Sequence, residues 1–445
     1  MPVPADKTWK IPSGGQHGLI EIDGDLDSDL EIPDCGEILI ISKDQSYMTH
    51  GIHKFPAKFF PELPRYLIRK YSDVGDTVLD PMCGSGTAIL EALLNDRKAI
   101  GIDIDMMARL ITKVKVTPLD KDSLLSSKEM LVQRIDRYLK SEGFELDLPE
   151  FPYRDNWFRP FVLQELAIIK TSIDEIVSPF KGKIAKDLSD FYRVVMSSII
   201  RDMSNADPHC TRTVLRKKVV KKIDPGDTII RFSQSLENQV ENMFEFSRLY
   251  QKLKVKDVSI PNENATKTGL NDNSTDLAIT SPPYINAVDY PRTHQLEMYW
   301  LGFLNPEPLS RIKRKYIGTE TVYKDEYHKL SFTGFDSLDP VLEKIYLLDP
   351  RRSFIVYKFF EDMKAQLDEI YRVLKPGSRY CVAIGNNLIR GIRVKSHEIL
   401  SEIAVSDTGF ELEKRFFSKL IRHFIRIPRR ERMQGEWVLI LRKPS

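Results

Sequence analysis

The chain has 445 residues, of which 42% are hydrophobic and 29% charged, and its formal net charge is +2. This length allows up to about three domains, and the composition predicts a sizeable hydrophobic core. No uninterrupted run of about 18 apolar residues occurs, so the sequence predicts no membrane-spanning helix. A net charge of +2 does not by itself indicate a nucleic-acid partner.

The sequence gives no sign of a targeting segment or a metal site. No apolar stretch of the kind found in signal peptides follows residues 1–7. The four cysteines are scattered without a Cys-x-x-Cys pair, which argues against a disulfide framework and against structural zinc. We therefore expect a cytoplasmic protein without a bound metal.

The first 45 residues are predicted to form an N-terminal arm. Their acidic stretch over 21–29 argues against contact with a phosphate backbone and favours a solvated arm or a packing segment. Residues 53–61 follow with the sequence His-Lys-Phe-Pro-Ala-Lys-Phe-Phe-Pro, and a helix is predicted over 61–71. Within this segment a lone histidine, His53, is more often structural than a ligand, and Lys58 is the better candidate for a contact with an acidic group.

A strand, a glycine-rich turn and a helix are predicted next. The turn Asp80-Pro81-Met82-Cys83-Gly84-Ser85-Gly86-Thr87 follows the strand, and a helix continues over 88–94. Glycines allow a sharp bend and a close approach to a ligand, and the helix start offers free N–H groups. A second strand over 99–103 ends in Asp103, roughly 20 residues beyond the glycines, where nucleotide-binding folds place a carboxylate on ribose hydroxyls. This pattern predicts a nucleoside-containing cofactor.

Residues 121–250 interrupt the nucleotide-binding pattern and are predicted to be largely helical. After a helix over 191–203 comes a basic segment, 212–222, with six positive charges and no acid, which is able to neutralise several phosphates. A second basic stretch lies near the C-terminus. The candidate DNA-binding residues of the two stretches are Arg212, Arg216, Lys217, Lys218, Lys221, Lys222, Arg426, Arg429 and Arg430.

The segment Thr275–Ile279 is a short apolar run bounded by turn formers, which predicts a buried strand. It delivers Ser281-Pro282-Pro283-Tyr284 at its carboxyl end, where open α/β sheets bind ligands. Two prolines fix the backbone and remove two N–H groups. The carbonyl groups of this rigid segment are therefore available as hydrogen-bond acceptors beside the ring of Tyr284. This arrangement suits a planar ring that carries an exocyclic amino group.

The remaining core elements follow at the predicted spacing. A third strand over 258–260 is expected to end near Asn264, helices are predicted over 294–301 and 358–374, and a strand over 379–387. Two final strands, 415–421 and 437–441, complete the sheet as a hairpin.

The two motifs together resemble those of the S-adenosylmethionine-dependent DNA amino-methyltransferases, and Ser-Pro-Pro-Tyr resembles the N4-cytosine group of that family. The resemblance covers roughly residues 50–120 and 255–445. It implies a Rossmann-like α/β fold with a seven-stranded class I methyltransferase sheet and a largely helical insertion. In this interpretation 46–120 and 251–445 form the catalytic core, and 121–250 is the candidate target-recognition region.

The resemblance also implies which residues act. Segment 53–61 resembles the part that closes over the methionine end of the cofactor, and Asn264 stands where the family often has an aspartate that meets adenine. The residues expected to bind S-adenosylmethionine are Lys58, Phe59, Asp80, Pro81, Cys83, Gly84, Ser85, Gly86, Thr87, Asp103, Ile104 and Asn264. The residues expected at the reacting amine are Ser281, Pro282, Pro283 and Tyr284.

Several interpretations stay open at this point. The same acceptor geometry serves adenine N6, although adenine enzymes often begin the tetrapeptide with Asp or Asn. A tRNA guanine-N2 methyltransferase shares the style of the glycine turn, but it usually has Asp-Pro-Pro-Tyr and a separate N-terminal RNA-binding domain. A catalytically inactive DNA-binding scaffold is the non-enzyme alternative. Double-stranded DNA is the expected partner, together with a possible cognate restriction endonuclease.

Overall fold

The computed structural model describes residues 19–141, 146–216, 220–285, 288–304, 309–419 and 434–445. Nine strands in this part of the chain form one sheet, in the order β1-β2-β10-β11-β7-β6-β3-β4-β5, and two more form a small hairpin. The strands are β1 (Ile20–Asp23), β2 (Glu37–Ile41), β3 (Thr77–Asp80), β4 (Lys98–Gly101), β5 (Val258–Ser259), β6 (Thr275–Thr280), β7 (Leu374–Ile384), β8 (Asn387–Ile389), β9 (Ile392–Val394), β10 (Glu411–Lys419) and β11 (Gly435–Arg442).

The predicted α/β fold is confirmed by the pairing of these strands. Strands β3 to β7 run parallel to one another, and β11 is antiparallel to both β7 and β10, which gives the predicted C-terminal hairpin. Seven neighbouring strands of this sheet, in the order β10-β11-β7-β6-β3-β4-β5, are the strands that the sequence predicted. Strands β1 and β2 extend it beyond β10, because β2 pairs in parallel with β10. The described part of the N-terminal 45 residues is thus joined to the core sheet.

The helices surround the sheet on both faces. In chain order they are α1 (Glu62–Tyr71), α2 (Thr87–Leu94), α3 (Met106–Val116), α4 (Lys121–Lys140), α5 (Arg154–Trp157), α6 (Pro160–Ile176), α7 (Gly182–Met203), α8 (Asp227–Tyr250), α9 (Tyr290–Thr293), α10 (Gln295–Trp300), α11 (Leu309–Lys313), α12 (Asp339–Leu348), α13 (Pro350–Val373) and α14 (Ser396–Ile403). A single turn of 3-10 helix at Met48–Gly51 packs against α8.

Alternating residues of the central strands bury against two different layers. In β6, Leu277 and Ile279 face a core that includes α1, α2 and the helices of the insertion, whereas Ala278 faces α12, α13 and α14. A strand that is buried on both faces must be apolar almost throughout, which explains the continuous apolar run that the sequence showed. Helix α7 also packs against α3 and α10, so the insertion lies beside the edge of the sheet that carries the motifs.

Candidate active site

The two predicted motifs lie next to each other at the carboxyl edge of the sheet. Strand β3 leads into the glycine-rich turn and β6 leads into Ser281–Tyr284, and these strands are parallel neighbours in which Val78 pairs with Leu277. Both motifs therefore open on the same cavity, which has a volume of about 1250 Å³ with its mouth included. A ligand-binding cleft outside the carboxyl ends of parallel strands is the expected place for chemistry in such a sheet.

The glycine-rich turn brings the backbone close to helix α3. Gly86 has a φ of +75° and stands immediately before α2. A Cβ atom at this position would lie 2.5 Å from Thr112 Cγ2, a distance that no real contact allows. The turn is closed by a 2.7 Å hydrogen bond from Gly86 N to Cys83 O. Glycine is therefore required here both by the left-handed backbone and by the approach of α3.

Two carboxyl groups, the buried Asp80 and the half-buried Asp103, stand at the end of β3 and just beyond the end of β4. Asp103 accepts hydrogen bonds of 2.8 Å from the backbone N–H groups of Gly84 and Asp105, and burial raises its pKa to about 7. Burial likewise raises the pKa of Asp80 to about 7, although the Thr280 hydroxyl and Met82 N donate to it. Desolvation outweighs the hydrogen bonds at both sites, so each group carries a proton for part of the time near neutral pH.

The cavity gathers most of the residues that were predicted to bind the cofactor. Gly86 does not line the cavity, but its N–H group closes the turn through the hydrogen bond to Cys83 O. The predicted residues on its wall are Lys58, Phe59, Asp80, Pro81, Cys83, Gly84, Ser85, Thr87, Asp103, Ile104 and Asn264. Asn264 Oδ1 also accepts a 3.1 Å bond from Thr266 N within its own turn. Their roles toward a cofactor stay predictions.

Lys58 approaches the cavity from the segment before α1. Its Nζ donates to the carbonyl oxygens of Gln45, at 3.0 Å, and His50, at 3.2 Å. Burial lowers the pKa of Lys58 below its ordinary value, and the charges of Asp44 and Glu62 oppose this shift. An ammonium has three N–H groups, so one remains for an anionic ligand group in the cavity.

Two hydroxyl groups of the cavity wall fit a polar ligand. Ser85 Oγ and Thr87 Oγ1 are buried, and neither has a hydrogen-bond partner among the described residues. Buried hydroxyls are normally paired, and leaving one unpaired costs roughly 1–3 kcal/mol. Ser85 lies in the turn before α2, and Thr87 is the first residue of that helix. Together with the carboxyl of Asp103 and the ammonium of Lys58, they match a zwitterionic nucleoside such as S-adenosylmethionine.

The tetrapeptide presents its residues in different directions. Ser281 and Pro283 lie on the cavity wall, and Pro282 is buried. The hydroxyl of the half-buried Tyr284 donates a hydrogen bond to Glu436 Oε1 on β11. Glu436 was not predicted from the sequence. It is 152 residues from Tyr284, and no local pattern connects the two.

An aromatic column borders the same cavity, and the stacking of its rings was not predicted from the sequence. The Phe55 ring stacks on Tyr290 with 5.5 Å between centroids, and on His294 with 5.1 Å. Burial lowers the pKa of both His53 and His294 to about 3, because nearby positive charge adds to the loss of solvation. Both rings are therefore neutral packing groups, in agreement with the structural interpretation of His53.

Asp105 is a second residue of this wall that was not predicted from the sequence. It caps α3 by accepting from Met107 N at 2.7 Å and Ala108 N at 3.2 Å, and it lines the cavity. The available signal was an aspartate directly before a helical pattern, which is typical of an N-cap.

The predicted DNA-binding residues differ in their surroundings. Arg212 lines the cavity at its rim, and Arg216 forms a 3.2 Å ion pair with Asp207. Lys221 Nζ donates to the carbonyl oxygens of Arg201, at 2.9 Å, and Asp202, at 3.1 Å, and these two bonds cap the end of α7. Burial lowers the pKa of Lys221 to about 8. Lys222 is exposed. The other predicted residues, Lys217, Lys218, Arg426, Arg429 and Arg430, lie outside the described residues.

The described residues contain no group of three or more His, Cys, Asp or Glu side chains arranged to hold a metal ion. In the same part of the chain, no helix has the length and apolar character that a membrane crossing requires.

Comparison with known proteins shows similarity to DNA methyltransferases. A model of the N6/N4 methyltransferases, described as DNA methylase, matches residues 6–113. Type II methyltransferase M.MvaI of Kocuria varians is 23% identical over 390 residues, which is 80% of this chain and 81% of that protein. Type II methyltransferase M.BsoBI of Geobacillus stearothermophilus is 26% identical over 420 residues, which is 83% of this chain and 80% of that protein.

The chain is similar to S-adenosylmethionine-dependent DNA amino-methyltransferases over most of its length. The resemblance of the two motifs is thereby confirmed, and S-adenosylmethionine is the cofactor. An S-adenosylmethionine-dependent methyltransferase from Methanosarcina mazei matches with a TM-score of 0.30 at 12% identity, over 85% of this chain and 97% of that one, a likeness too weak to add to the assignment. The family includes enzymes that act on adenine N6 and on cytosine N4.

Proposed function

We propose that this DNA amino-methyltransferase transfers the methyl group of S-adenosylmethionine to N4 of cytosine in double-stranded DNA. The observation that carries the proposal is that Ser281 and Pro283 of the tetrapeptide line the same cavity as the glycine-rich turn. The serine at its first position supports cytosine over adenine by family resemblance.

Ser281 and Pro282 are the acceptors for the amino group in this proposal. The exocyclic nitrogen of cytosine is a poor nucleophile because its lone pair is delocalised into the ring. The Ser281 hydroxyl and the Pro282 carbonyl accept its two N–H bonds, which turns the lone pair toward the cofactor and stabilises the positive charge that develops on nitrogen. Two consecutive prolines hold these acceptors rigid before the substrate arrives. S-adenosylmethionine supplies an electrophilic methyl group on a sulfonium ion.

Tyr284 provides the aromatic face on which the target base stacks. A base inside a duplex cannot reach the bottom of the cavity, so it must rotate out of the helix, at a cost of a few kcal/mol. Stacking on an aromatic ring recovers roughly 1–3 kcal/mol per base. No covalent intermediate is needed for this chemistry, so it does not require a nucleophilic cysteine.

The DNA approaches the cavity from the side of the insertion in this proposal. Arg212 lies at the cavity rim, and the buried residue that follows it, Thr213, is fixed to α9: its hydroxyl donates to Thr293 O at 2.8 Å and its N–H to Arg292 O at 3.3 Å. This attachment supports Arg212 as a phosphate contact near the flipped base. We retain 121–250 as the target-recognition region.

We further propose a cognate restriction endonuclease as a functional partner, since the relatives above are named Type II methyltransferases, and the cytoplasm as the location.

Expression in a host without DNA methylation tests the proposal. Single-molecule sequencing of the host DNA distinguishes N4-methylcytosine from N6-methyladenine and also gives the recognition sequence. We expect N4-methylcytosine in one sequence context, and none when the Ser281→Ala variant is expressed at the same level. N6-methyladenine in one context would keep the site and refute cytosine as the target. Unmodified DNA, together with a folded protein that binds no cofactor in calorimetry, would support the inactive scaffold.

A further inference from the structure

The hydrogen bond between Tyr284 and Glu436 reaches across one strand of the sheet. Tyr284 follows β6, whereas Glu436 is the second residue of β11, and β7 lies between these two strands. The last pair between β7 and β11 is Ile384 with Trp437. Continuing this register by one residue places Glu436 opposite Gly385, which has no side chain to stand between the tyrosine and the carboxyl group.

The hairpin geometry determines where Glu436 stands. A Cβ atom on Gly435 would lie 2.3 Å from Ser418 O and 2.7 Å from the Phe417 ring, so a side chain at this position would separate β11 from β10. In β11, Glu436 points to the same face as Val438 and Ile440, which are fully buried. The carboxyl group therefore ends an apolar row, directly beside the tetrapeptide.

We propose that Glu436 is a positioning residue, which holds the Tyr284 ring in the orientation that stacks on the target base. The inference rests on the proposed function and adds a residue from a different strand to that site. A tyrosine side chain turns about two bonds. A hydrogen bond at its hydroxyl restricts the first, and the preference of the phenol O–H for the ring plane favours one orientation about the second. The ring then loses little conformational entropy when the base arrives.

The chemistry of the pair is consistent with this role. A phenol donates more strongly to a carboxylate than to a neutral acceptor, because the acceptor is charged. Burial raises the pKa of Glu436 to about 7, so the group is partly ionised at neutral pH and mainly a carboxylate above it. Glutamine at this position retains a neutral acceptor of similar size, whereas leucine removes the acceptor and keeps the volume.

A double-mutant cycle tests the proposal with four variants: Glu436→Leu, Glu436→Gln, Tyr284→Phe and Tyr284→Phe combined with Glu436→Leu. The measurements are the single-turnover rate of methyl transfer to DNA and the affinity for S-adenosylmethionine by calorimetry. We expect Glu436→Leu and Tyr284→Phe each to lower the rate about tenfold, and the double variant to be no slower than either single variant. Glu436→Gln is expected to stay within about threefold of the wild type, and cofactor affinity is expected to be unchanged in all four.

Two results would overturn the proposal. Losses that multiply to about a hundredfold in the double variant would show that Glu436 acts independently of the Tyr284 hydroxyl. Weaker cofactor binding in Glu436→Leu and Glu436→Gln alike would show a general structural role. If Glu436→Leu does not fold, Tyr284→Phe and Glu436→Gln test the proposal instead. A Tyr284→Phe variant with the wild-type rate would show that the hydrogen bond to Glu436 has no effect on methyl transfer. Failure of the proposed function is distinct, because the wild-type protein would then form no N4-methylcytosine.

Discussion

The Thr280 hydroxyl donates a 2.9 Å hydrogen bond to Asp80 Oδ1, and this bond joins the last residues of β6 and β3. Both side chains are buried, and the two residues are 200 positions apart in the chain. The bond connects the strand that leads into the cofactor turn with the strand that leads into the tetrapeptide. A shift of either strand would therefore change the distance between the bound cofactor and the target amine.

Stability is expected to depend on the protonation of Asp80. Its pKa in the folded state is raised to about 7 by burial, whereas an exposed aspartate has a pKa of about 3.9. The folded state therefore binds the proton more tightly, and this contribution to stability is present at low pH and is lost as the pH rises through about 7.

The Asp80→Asn variant removes this part of the pH dependence. We expect it to unfold at a higher denaturant concentration than the wild type at pH 8 and at a similar one at pH 4, because asparagine still accepts from Thr280 and Met82. Urea unfolding at the two pH values is the measurement. The exposed Asp29→Asn is the control and should follow the wild type. A variant less stable than the wild type at pH 8 would contradict the expectation.

Gly86→Ala is expected to abolish cofactor binding. The added Cβ would meet Thr112 at 2.5 Å and push α3 away from the turn. Gly75→Ala is the matched control, since Gly75 also has a positive φ, +92°, but a Cβ added there would meet no atom within 4 Å. The control therefore carries only the backbone penalty of about 1–2 kcal/mol. Calorimetry with S-adenosylmethionine should show binding to Gly75→Ala alone, and equal affinities would refute the importance of this contact.

Lys58→Met is expected to weaken binding of S-adenosylmethionine about tenfold or more, because we propose that the half-buried Lys58 ammonium faces the ligand carboxylate. Methylthioadenosine lacks that carboxylate, so its affinity should not change. Lys54→Met serves as control, since the Lys54 side chain is 74% exposed. An equal loss for both ligands would show that Lys58 supports the fold of the site and does not contact the carboxylate.

Arg212 and Lys221 were both predicted to contact DNA, but their surroundings predict different effects. Arg212→Gln should weaken DNA binding and reduce the slope of log affinity against log salt by about 1. Lys221→Gln should leave that slope nearly unchanged and lower the melting temperature, because it removes the cap on the α7 carbonyls. Fluorescence anisotropy at several salt concentrations and thermal unfolding distinguish the two. A Lys221→Gln variant with normal stability and a reduced slope would reverse these roles.

Local patterns predicted the elements that carry the motifs. Strands β3, β4 and β6 are apolar runs between turn formers, and the glycine turn with its following helix is continuous in sequence, so these elements could be placed to within a few residues. Helix α13 starts at Pro350, eight residues before the predicted start at 358. Asp349 caps this start, because its side chain accepts a 3.1 Å hydrogen bond from Arg352 N. The pair Asp-Pro was a sufficient signal for that start.

Long-range contacts could not be predicted in the same way. Strands β1 and β2 are four and five residues long, and they join the sheet through long-range pairing, β2 with β10 and β1 with β2. Glu436 comes to Tyr284 through the register of a hairpin, and Phe55 stacks on Tyr290 through the path of a loop. Local motifs therefore predicted candidate site residues, whereas contacts made through packing, such as Glu436 with Tyr284, were not predicted.

The most direct test of the account is incubation of the protein with unmethylated double-stranded DNA and labelled S-adenosylmethionine, followed by digestion to nucleosides and mass spectrometry. We predict labelled N4-methylcytosine from the wild type and a loss of at least about a hundredfold in Ser281→Ala, with cofactor affinity unchanged by calorimetry. Label that appears only in a parallel RNA incubation, or N4-methylcytosine formed by Ser281→Ala at the wild-type rate, would contradict it.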